Sequence, residues 1–481
     1  MSREHAEIVV VGSGAGGGVV ASRLAEEGRR VVLLESGGYH PASTHDRFEL
    51  RAARLLWNPP RFGMTAPDGS RPVVMVSGRG VGGSTLINTK IGMRAVAQDH
   101  AKWHAASGLV NERGEPFSAA DLDPWYELVE QRMGVRPRTD WTHSVRTVER
   151  GFRAVGASLE PVTSYTNADC ESIGSCTAGC PTNAGGSALN RYIHPAMLTG
   201  RLDVRPGTLV GRVRVTGEGT DRRVAGVDYV DADGAHELDA DVVVLAAGSL
   251  VTPQLLQRSG LAALDTPSAR LIGRNLGTHT ARMVHGVFDD VMDTHVVYPL
   301  TAHCRDFARD EDGGFIVEAT TILDPVGLAS NLVDEHGRPL WGERLASVMR
   351  RFRHMTALMM MTNDSNTGVV EETGDLTGRI SVPIPEEDQA RLDRAHEFCE
   401  RVLREAGARE VVSTGYITSH VQGSCRMGSD PRRSVCDANQ RMWDVDGLYL
   451  GDASVIPRTL TYNPSLTIMA LAERLAAHLA R

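Results

Sequence analysis

Three polar residues in the C-terminal part of the chain have types and a spacing that suit the oxidation of an alcohol. His420 lies shortly before the stretch Gly-Ser-Cys-Arg-Met, Asp452 follows a short apolar run and a glycine, and Asn463 comes directly before a proline. Histidine can remove a hydroxyl proton because its unperturbed pKa lies near physiological pH. The carboxamide of Asn463 can hold the substrate oxygen and orient the adjacent C–H bond. Together they suit removal of hydride from an alcohol, although each alone also fits a structural histidine or a helix N-cap.

The elements that must position these residues begin at the N-terminus. Residues 7–11 form an apolar run that predicts a buried parallel strand, and a helix is predicted soon after it. Between strand and helix, Gly12 permits a tight turn, Gly14 lets the backbone approach a pyrophosphate, and Gly17 lets the helix pack on the strand. Glu35 ends a second predicted strand, about 20 residues beyond the turn, where a carboxylate accepts ribose hydroxyls. This order predicts a dinucleotide site but does not separate FAD from NAD.

Further segments extend this pattern along the chain. Residues 241–248 form another apolar run that ends in small residues, residues 448–452 end in an acid, and residues 77–88 are rich in glycine. Together with the motifs around His420 and Asn463, these segments resemble the glucose–methanol–choline (GMC) family of flavin-dependent alcohol oxidoreductases. The resemblance extends from the first predicted strand to the last predicted helix.

The resemblance implies FAD as the cofactor and indicates which residues contact it. Gly83 and Asn88 match the family segment that runs along the isoalloxazine ring. Gly248 and Asp452 match other FAD contacts of the family, the acid serving the ribityl chain or the pyrophosphate. Val210 matches the position whose backbone faces the adenine, although an ordinary strand valine fits the sequence equally well.

The same resemblance implies how the flavin is held and which residues are catalytic. Some members attach the flavin through a histidine at the position of Ile87 in this chain, so we expect FAD to be bound non-covalently. His420 matches the family's catalytic base. Asn463 matches the residue that holds the substrate oxygen.

Three cysteines form a separate motif. Cys170, Cys176 and Cys180 have the spacing C-x5-C-x3-C, with glycines between them and a proline after them. The motif looks like the iron–sulfur loop in the catalytic subunit of bacterial FAD-dependent glucose dehydrogenases, and this similarity implies a [3Fe-4S] cluster with three thiolate ligands. A disulfide between two of them and free thiols packed in a turn are the alternatives.

Composition excludes several other classes of function. The chain has 481 residues and a net charge of −9, whereas a nucleic-acid partner requires a concentrated cationic surface. The sequence contains no run of 18 or more apolar residues, which argues against a membrane-spanning segment, and no leader-like N-terminus. We therefore expect a cytoplasmic enzyme.

The fold is predicted to be α/β (α+β overall), with a Rossmann-like FAD-binding domain and a substrate-binding domain of sheet and helices. The FAD-binding domain is expected to be discontinuous and to comprise residues 1–100, 195–280 and 430–481. Residues 101–194 and 281–429 are expected to form the substrate-binding domain. An amphipathic helix is predicted to begin near Pro385 and to end before Gly407.

These features predict FAD-dependent oxidation of a CH–OH group in a small-molecule alcohol, such as a polyol or sugar, with electrons passed to an external protein or quinone. An O2-using oxidase of the same family is one alternative. A lyase that uses His420 only for acid–base chemistry is another, and a flavoprotein kept for binding alone is a third.

Overall fold

The computed structural model describes residues 4–58, 73–320, 324–374 and 378–481. Its strands, in chain order, are β1 (Glu4–Val11), β2 (Val31–Glu35), β3 (Val73–Met75), β4 (Arg136–Pro137), β5 (Glu160–Pro161), β6 (Thr163–Ser164), β7 (Leu202–Pro206), β8 (Leu209–Thr216), β9 (Arg223–Asp231), β10 (Gly234–Leu245), β11 (Arg274–Leu276), β12 (Ala281–Val287), β13 (Leu300–Cys304), β14 (Phe315–Thr320), β15 (Leu332–Val333), β16 (Met355–Thr362), β17 (Gly368–Glu371), β18 (Arg379–Ser381), β19 (Glu410–Thr418) and β20 (Leu448–Leu450).

The α-helices are α1 (Gly17–Glu26), α2 (Glu49–Leu56), α3 (Ala97–Ser107), α4 (Ala119–Met133), α5 (His143–Ala154), α6 (His194–Met197), α7 (Val251–Arg258), α8 (Pro325–Asn331), α9 (Gly342–Met349), α10 (Glu386–Glu405) and α11 (Ser465–Ala480). Short 3-10 turns and one π-helical segment, Leu189–Ile193, connect them.

The first large sheet has the parallel core expected of a dinucleotide-binding fold. Its order is β7-β2-β1-β10-β9-β8, and β20 pairs with the C-terminal end of β10. Strands β7, β2, β1, β10 and β20 run parallel, whereas β9 and β8 are antiparallel additions. Helix α1 connects β1 to β2 and packs on both, and α11 packs on α1 and α4. The carboxyl ends of β1, β2, β10 and β20 therefore lie at one edge, which is where such sheets bind ligands.

The second large sheet is built mostly from antiparallel strands. Its order is β15-β19-β12-β16-β14-β13-β5, and β3 pairs parallel with β19. Helix α10 packs against β12, β14, β16 and β19 and also contacts α5. It buries its apolar residues at helical spacing, among them Leu392, Ala395 and Phe398. The predicted amphipathic helix is thus confirmed, and it covers one face of this sheet.

The opposite face of the second sheet meets the chain just before α11. Ile316 on β14 and Met361 on β16 share an apolar cluster with Ile91 and Tyr462. Because successive strand residues point to opposite faces, residues 316 and 318 of β14 share this face. The sheet therefore presents its surface to the segment that contains Asn463.

The predicted α/β fold class is confirmed. The division into two domains stays a prediction, which the two large sheets support: the strands of the first sheet lie within residues 4–35, 202–245 and 448–450. Strand β3 belongs to the second sheet although it lies within the range 1–100. No helix in the described part of the chain is long and apolar enough to cross a membrane.

Candidate active site

The glycine-rich turn after β1 has the close backbone contacts that its sequence predicts. Gly12 has φ +96°, and a Cβ there would lie 2.4 Å from the Ala246 oxygen. A Cβ at Gly17 would lie 1.9 Å from the Gly12 oxygen, so only glycine lets α1 approach the strand this closely. At Gly14 a Cβ would meet no described atom within 4 Å. The backbone at Gly14 consequently borders open space at the N-terminal end of α1, where a helix favours phosphate.

Glu35 links this turn to the segment after β3. Its Oε2 accepts hydrogen bonds from the Ser13 N–H (3.1 Å) and the Ser13 hydroxyl (2.7 Å). Its Oε1 accepts from the N–H groups of Gly37 (2.8 Å) and Gly80 (3.4 Å). The carboxylate is 6% exposed. Glu35 therefore lies at the expected end of β2 and orders the glycine turns on either side of it.

Val210 lies close to the same place in the sheet. The Thr208 N–H donates to the main-chain oxygen of Glu35 (2.8 Å), and Val210 follows on β8 with 7% exposure. The segments expected to hold the two ends of the adenosine are therefore neighbours.

Asp452 connects the ends of β10 and β20. Its Oδ2 accepts hydrogen bonds from the Gly248 N–H (2.8 Å) and the Thr252 hydroxyl (2.6 Å), and its Oδ1 accepts from the Ser454 N–H (2.8 Å). Gly248 has φ +91°, and a Cβ there would meet no atom of the described residues within 4 Å. Asp452 and Gly248, which are 204 residues apart in the sequence, thus form one corner of the site.

The expected flavin segment lies against the start of α11. Gly83 has φ +53°, and a Cβ there would lie 2.7 Å from the Gly14 Cα, so the two glycine-rich segments touch. The Asn88 Nδ2 donates to the Tyr165 hydroxyl, which also pairs with the Ser465 hydroxyl (3.1 Å). The buried Asn88 Oδ1 has no hydrogen-bond partner among the described residues, as expected of a group that contacts a cofactor. Ile87 is buried.

The structure pairs His420 with a second histidine. His420 follows β19 and His279 precedes β12, and these two strands are neighbours. The two Nδ1 atoms lie 3.2 Å apart. His279 has φ +47°, and its N–H donates to the Asp364 Oδ2 (2.8 Å), which also accepts from the Thr278 N–H. Asp364 therefore holds the strained turn that places the His279 ring behind His420.

Both imidazoles are held in the neutral form. Burial lowers the pKa of His420 to about 3, with His279 adding to the effect, and burial likewise lowers the pKa of His279 to about 3. When the His420 Nδ1–H donates to the His279 Nδ1, Nε2 of His420 keeps its lone pair and can accept a proton.

Asn463 ends the loop before α11 and is brought close to a buried acid. Burial raises the pKa of the Glu318 carboxyl to about 8. The nearby Asn463 side chain has a smaller effect in the opposite direction. Asn463 is 5% exposed, and its Oδ1 has no hydrogen-bond partner within the described part of the chain. The Gln422 side chain accepts from the Leu460 N–H (3.3 Å) and donates to the His420 oxygen (3.0 Å), which ties the His420 and Asn463 segments together.

His279 and Glu318 were not predicted from the sequence. The signal for Glu318 was a single acid within an otherwise apolar strand, Phe-Ile-Val-Glu-Ala-Thr. His279 carried no comparable signal, because its role depends on the pairing of β12 with β19.

The three cysteines of the predicted iron–sulfur loop are free thiols. Cys170, Cys176 and Cys180 line a common cavity near Tyr298, and none of the described cysteines forms a disulfide. Within the described ranges, no set of three His, Cys, Asp or Glu side chains is arranged to hold a metal ion. The [3Fe-4S] expectation therefore has no support in the structure.

A buried lysine lies behind these thiols. The Lys90 Nζ donates to the main-chain oxygens of Thr85 and Leu86, in the expected flavin segment. Burial lowers the pKa of Lys90 to about 8, an effect that Cys176 and Cys180 oppose. The Lys90 ammonium group consequently donates hydrogen bonds to the flavin segment and interacts electrostatically with the cysteine loop.

Comparison with known proteins identifies the family. Models of the N- and C-terminal parts of GMC oxidoreductases match residues 6–281 and 325–472. The chain therefore belongs to the GMC oxidoreductase family, a family of FAD-dependent oxidoreductases. The open space at Gly14 and Gly248 and the unpartnered Asn88 Oδ1 fit such a cofactor.

Several curated relatives match nearly the whole chain. The uncharacterized GMC-type oxidoreductase y4nJ of Sinorhizobium fredii is 27% identical, with 98% of this chain and 94% of the relative covered. Long-chain-alcohol oxidase FAO3 of Arabidopsis thaliana is 24% identical, with 100% and 68% covered. The 6'''-hydroxyparomomycin C oxidase of Streptomyces lividus is 28% identical, with 98% and 92% covered.

Solved structures share the fold. Pyridoxine 4-oxidase from Mesorbium loti has a TM-score of 0.74 at 20% identity, with 98% of this chain and 99% of that chain covered. A formate oxidase of Aspergillus oryzae RIB40 has a TM-score of 0.71 at 15% identity, with 99% and 98% covered. At these identities the likeness concerns the fold alone.

Proposed function

We propose that the protein oxidises a CH–OH group of a small-molecule alcohol to a carbonyl with FAD, using His420 as the base. The observation that carries the proposal is the pairing of the His420 Nδ1 with the His279 Nδ1 at 3.2 Å. With His420 as the donor in this contact, Nε2 of His420 is a neutral proton acceptor, and Gln422 connects its segment to the one that ends at Asn463.

Bound FAD supplies the acceptor for the hydride that leaves the carbon. The residues that would hold it are Gly12, Gly14 and Gly17 with Glu35 at the nucleotide end, Val210 beside the adenine, Gly248 and Asp452 in the middle, and Gly83 and Asn88 along the flavin. Ile87 occupies the place at which some relatives attach the flavin, so we propose non-covalent binding.

The chain's own contribution is proton removal and orientation. His420 takes the hydroxyl proton at Nε2, and the positive charge that forms is shared with His279 through the Nδ1 contact. Asn463 donates its amide N–H to the substrate oxygen and fixes the direction of the C–H bond. Asp364 keeps the His279 turn in place.

The substrate we propose is a polyol, a sugar or a related alcohol, and the electron acceptor is an external protein or quinone. The names of relatives such as long-chain-alcohol oxidase and pyridoxine 4-oxidase support a family range of hydroxyl-bearing substrates. An O2-using oxidase is the second candidate, which the same relatives favour by name. A cytoplasmic location remains part of the proposal.

The proposed function is tested by adding alcohols to the holoenzyme without oxygen and following the flavin absorption band. We expect at least one alcohol to bleach the band. Oxygen, a quinone and a one-electron protein acceptor are then added separately, and the acceptor that restores the band fastest identifies the physiological class. If no alcohol in a broad panel bleaches the flavin, oxidation of a CH–OH group is wrong, and a lyase becomes the better hypothesis.

A further inference from the structure

The three loop cysteines surround one cavity beside the expected flavin segment. Cys170, Cys176 and Cys180 all line this cavity. The 3-10 turn Cys176–Ala178 also contacts the turn Gly83–Leu86 of the flavin segment. Each of the three cysteines is partly exposed, whereas the other four cysteines of the chain are buried. A small reagent from solution can therefore reach the three loop thiols before the others.

The sulfur of Cys180 is surrounded by polar groups. The Gly185 N–H donates to the Cys180 Sγ (3.3 Å), and the Thr182 hydroxyl lies 3.5 Å from the same sulfur. Hydrogen-bond donors stabilise the thiolate, which is the form of cysteine that acts as a nucleophile. Cys180 is therefore the thiol of the cavity that is best placed to attack an electrophile.

Lys90 brings a buried positive charge to this sulfur. A Cβ at Gly185 would lie 2.9 Å from the Lys90 Cε and 3.5 Å from the Cys180 Cβ, so the missing side chain of Gly185 lets the lysine and the cysteine approach each other. Lys90 also donates to the main-chain oxygens of Thr85 and Leu86, which fix the position of the ammonium group.

Cys176 is the neighbour that can react with Cys180 in a second step. Burial raises the pKa of Cys176 to about 12, and among the neighbouring groups Lys90 affects this pKa most, followed by Cys180 and then Cys170. Cys176 consequently stays a protonated thiol, and it interacts more strongly with Cys180 than with Cys170.

We propose that Cys180 and Cys176 form a site of reversible oxidation by hydroperoxides, in which Cys180 reacts first and Cys176 then closes a disulfide with it. In the first step the Cys180 sulfur attacks one oxygen of hydrogen peroxide and the O–O bond breaks. The sulfur becomes a sulfenic acid, and the other oxygen takes the thiol proton and leaves as water. The inference is independent of the proposed function.

The second step uses the thiol of Cys176. Its sulfur attacks the Cys180 sulfur, the S–O bond breaks, an S–S bond forms, and the hydroxyl group leaves as water with the Cys176 proton. Two thiols and one peroxide thus give one disulfide and two waters, and the two electrons lost by sulfur are gained by the peroxide oxygens. The Lys90 ammonium group stabilises the negative charge that develops on the departing oxygen of the first step.

The test treats the holoenzyme with stoichiometric hydrogen peroxide after reduction with a dithiol and removal of that dithiol. Mass spectrometry of digests follows each thiol. In the native protein we expect a disulfide between Cys176 and Cys180 that fresh dithiol removes. Cys176→Ser should stop at the sulfenic acid of Cys180, which dimedone traps. Cys170→Ser changes the third thiol of the same cavity and is the matched control, which should form the disulfide at the native rate.

Two further results would overturn the proposal. One is a disulfide that includes Cys170. The other is oxidation of Cys176 in Cys180→Ser at the native rate, because we expect a loss of at least ~10-fold when the first nucleophile is removed. The four buried cysteines are the internal reference, and loop thiols that react no faster than these would also contradict a dedicated site: Cys304, Cys399, Cys425 and Cys436.

A second pair of variants tests Lys90. Lys90→Met removes the ammonium group, and Gly185→Ala displaces it, because the new methyl group would meet the Lys90 Cε. Since Lys90 supports the flavin segment, the flavin spectrum first confirms that each variant has bound FAD. Oxidation of Cys180 should be at least ~10-fold slower in both variants than in the native protein. Native rates in both would show that the ammonium group takes no part in the reaction.

Discussion

His420 and His279 face each other with their Nδ1 atoms 3.2 Å apart, and their rings are inclined by 33°. The contact joins the end of β19 to the start of β12. Only one of the two Nδ1 atoms can carry the shared hydrogen, and the arrangement that makes His420 a base has His420 as the donor. A neighbour that accepts this hydrogen fixes the tautomer of the base, in the way that a carboxylate or carbonyl does in other active sites.

Replacing His279 should therefore slow the reaction without removing the base. We expect His279→Ala to reduce the rate of flavin reduction by about 10-fold, the effect of losing roughly one hydrogen bond. His279→Asn should retain most of the rate, because its amide oxygen can accept the same hydrogen and asparagine tolerates a positive φ. Equal losses in both variants would mean that the ring acts only as packing, and stopped-flow reduction without oxygen measures the difference.

The pH dependence of flavin reduction should show a base that stays neutral in weak acid. Burial lowers the pKa of His420 below its ordinary value of 6.5. A base works only when deprotonated, so a lowered pKa keeps the rate constant as the pH falls through 6.5 and moves the loss of rate to lower pH. Rates of reduction measured between about pH 5 and pH 8 test this. A decline centred at 6.5 or above would contradict the burial of the base.

FAD should leave the protein when the fold is disrupted. Ile87 offers no nucleophile for attachment, so acid precipitation should leave the yellow colour in the supernatant. Absorption spectra of supernatant and dissolved pellet give the measurement. Flavin that remains with the pellet after washing would show a covalent link at another residue.

Two of the loop thiols, Cys176 and Cys180, should differ in reactivity. Burial opposes ionisation of Cys180, but the Gly185 N–H, Thr182 and Lys90 together lower its pKa, whereas burial raises the pKa of Cys176 to about 12. The thiolate is the nucleophile, so iodoacetamide near neutral pH should label Cys180 at least ~10-fold faster than Cys176. Mass spectrometry of digests measures the rates, and Cys180→Ser is the control. Iron and sulfide at cluster stoichiometry, with all three thiols protected from the reagent, would instead restore the [3Fe-4S] hypothesis.

Much of the fold could be predicted because the signals are local. The turn between β1 and α1 needs glycine at Gly17 because a side chain there would meet the Gly12 oxygen of the same turn, and the apolar spacing of α10 is visible in one segment. The neighbours of His420 could not be predicted in this way. His279 is 141 residues away from it in the sequence, and their contact depends on which strands pair.

Glu318 shows a different limit on what the sequence can predict. An acid within an apolar strand is visible in the sequence, but its meaning depends on the face to which it points and on what lies opposite. The register of β13, β14 and β16 places His303 and Met359 beside it, and the loop before α11 adds Asn463. For the cysteine motif, the sequence predicted more than the structure supports. Its spacing suggested a set of metal ligands that the described residues do not form.

The role of His420 as the base is central to the proposed function. The direct measurement is the rate of flavin reduction by a substrate alcohol without oxygen, in the native protein and in His420→Ala, with FAD content confirmed in both. Asn463→Ala, which removes orientation but no proton acceptor, is the comparison variant. We predict that His420→Ala keeps its FAD and loses at least ~100-fold in this rate, and that Asn463→Ala loses less. Flavin reduction at a near-native rate in His420→Ala would contradict the account.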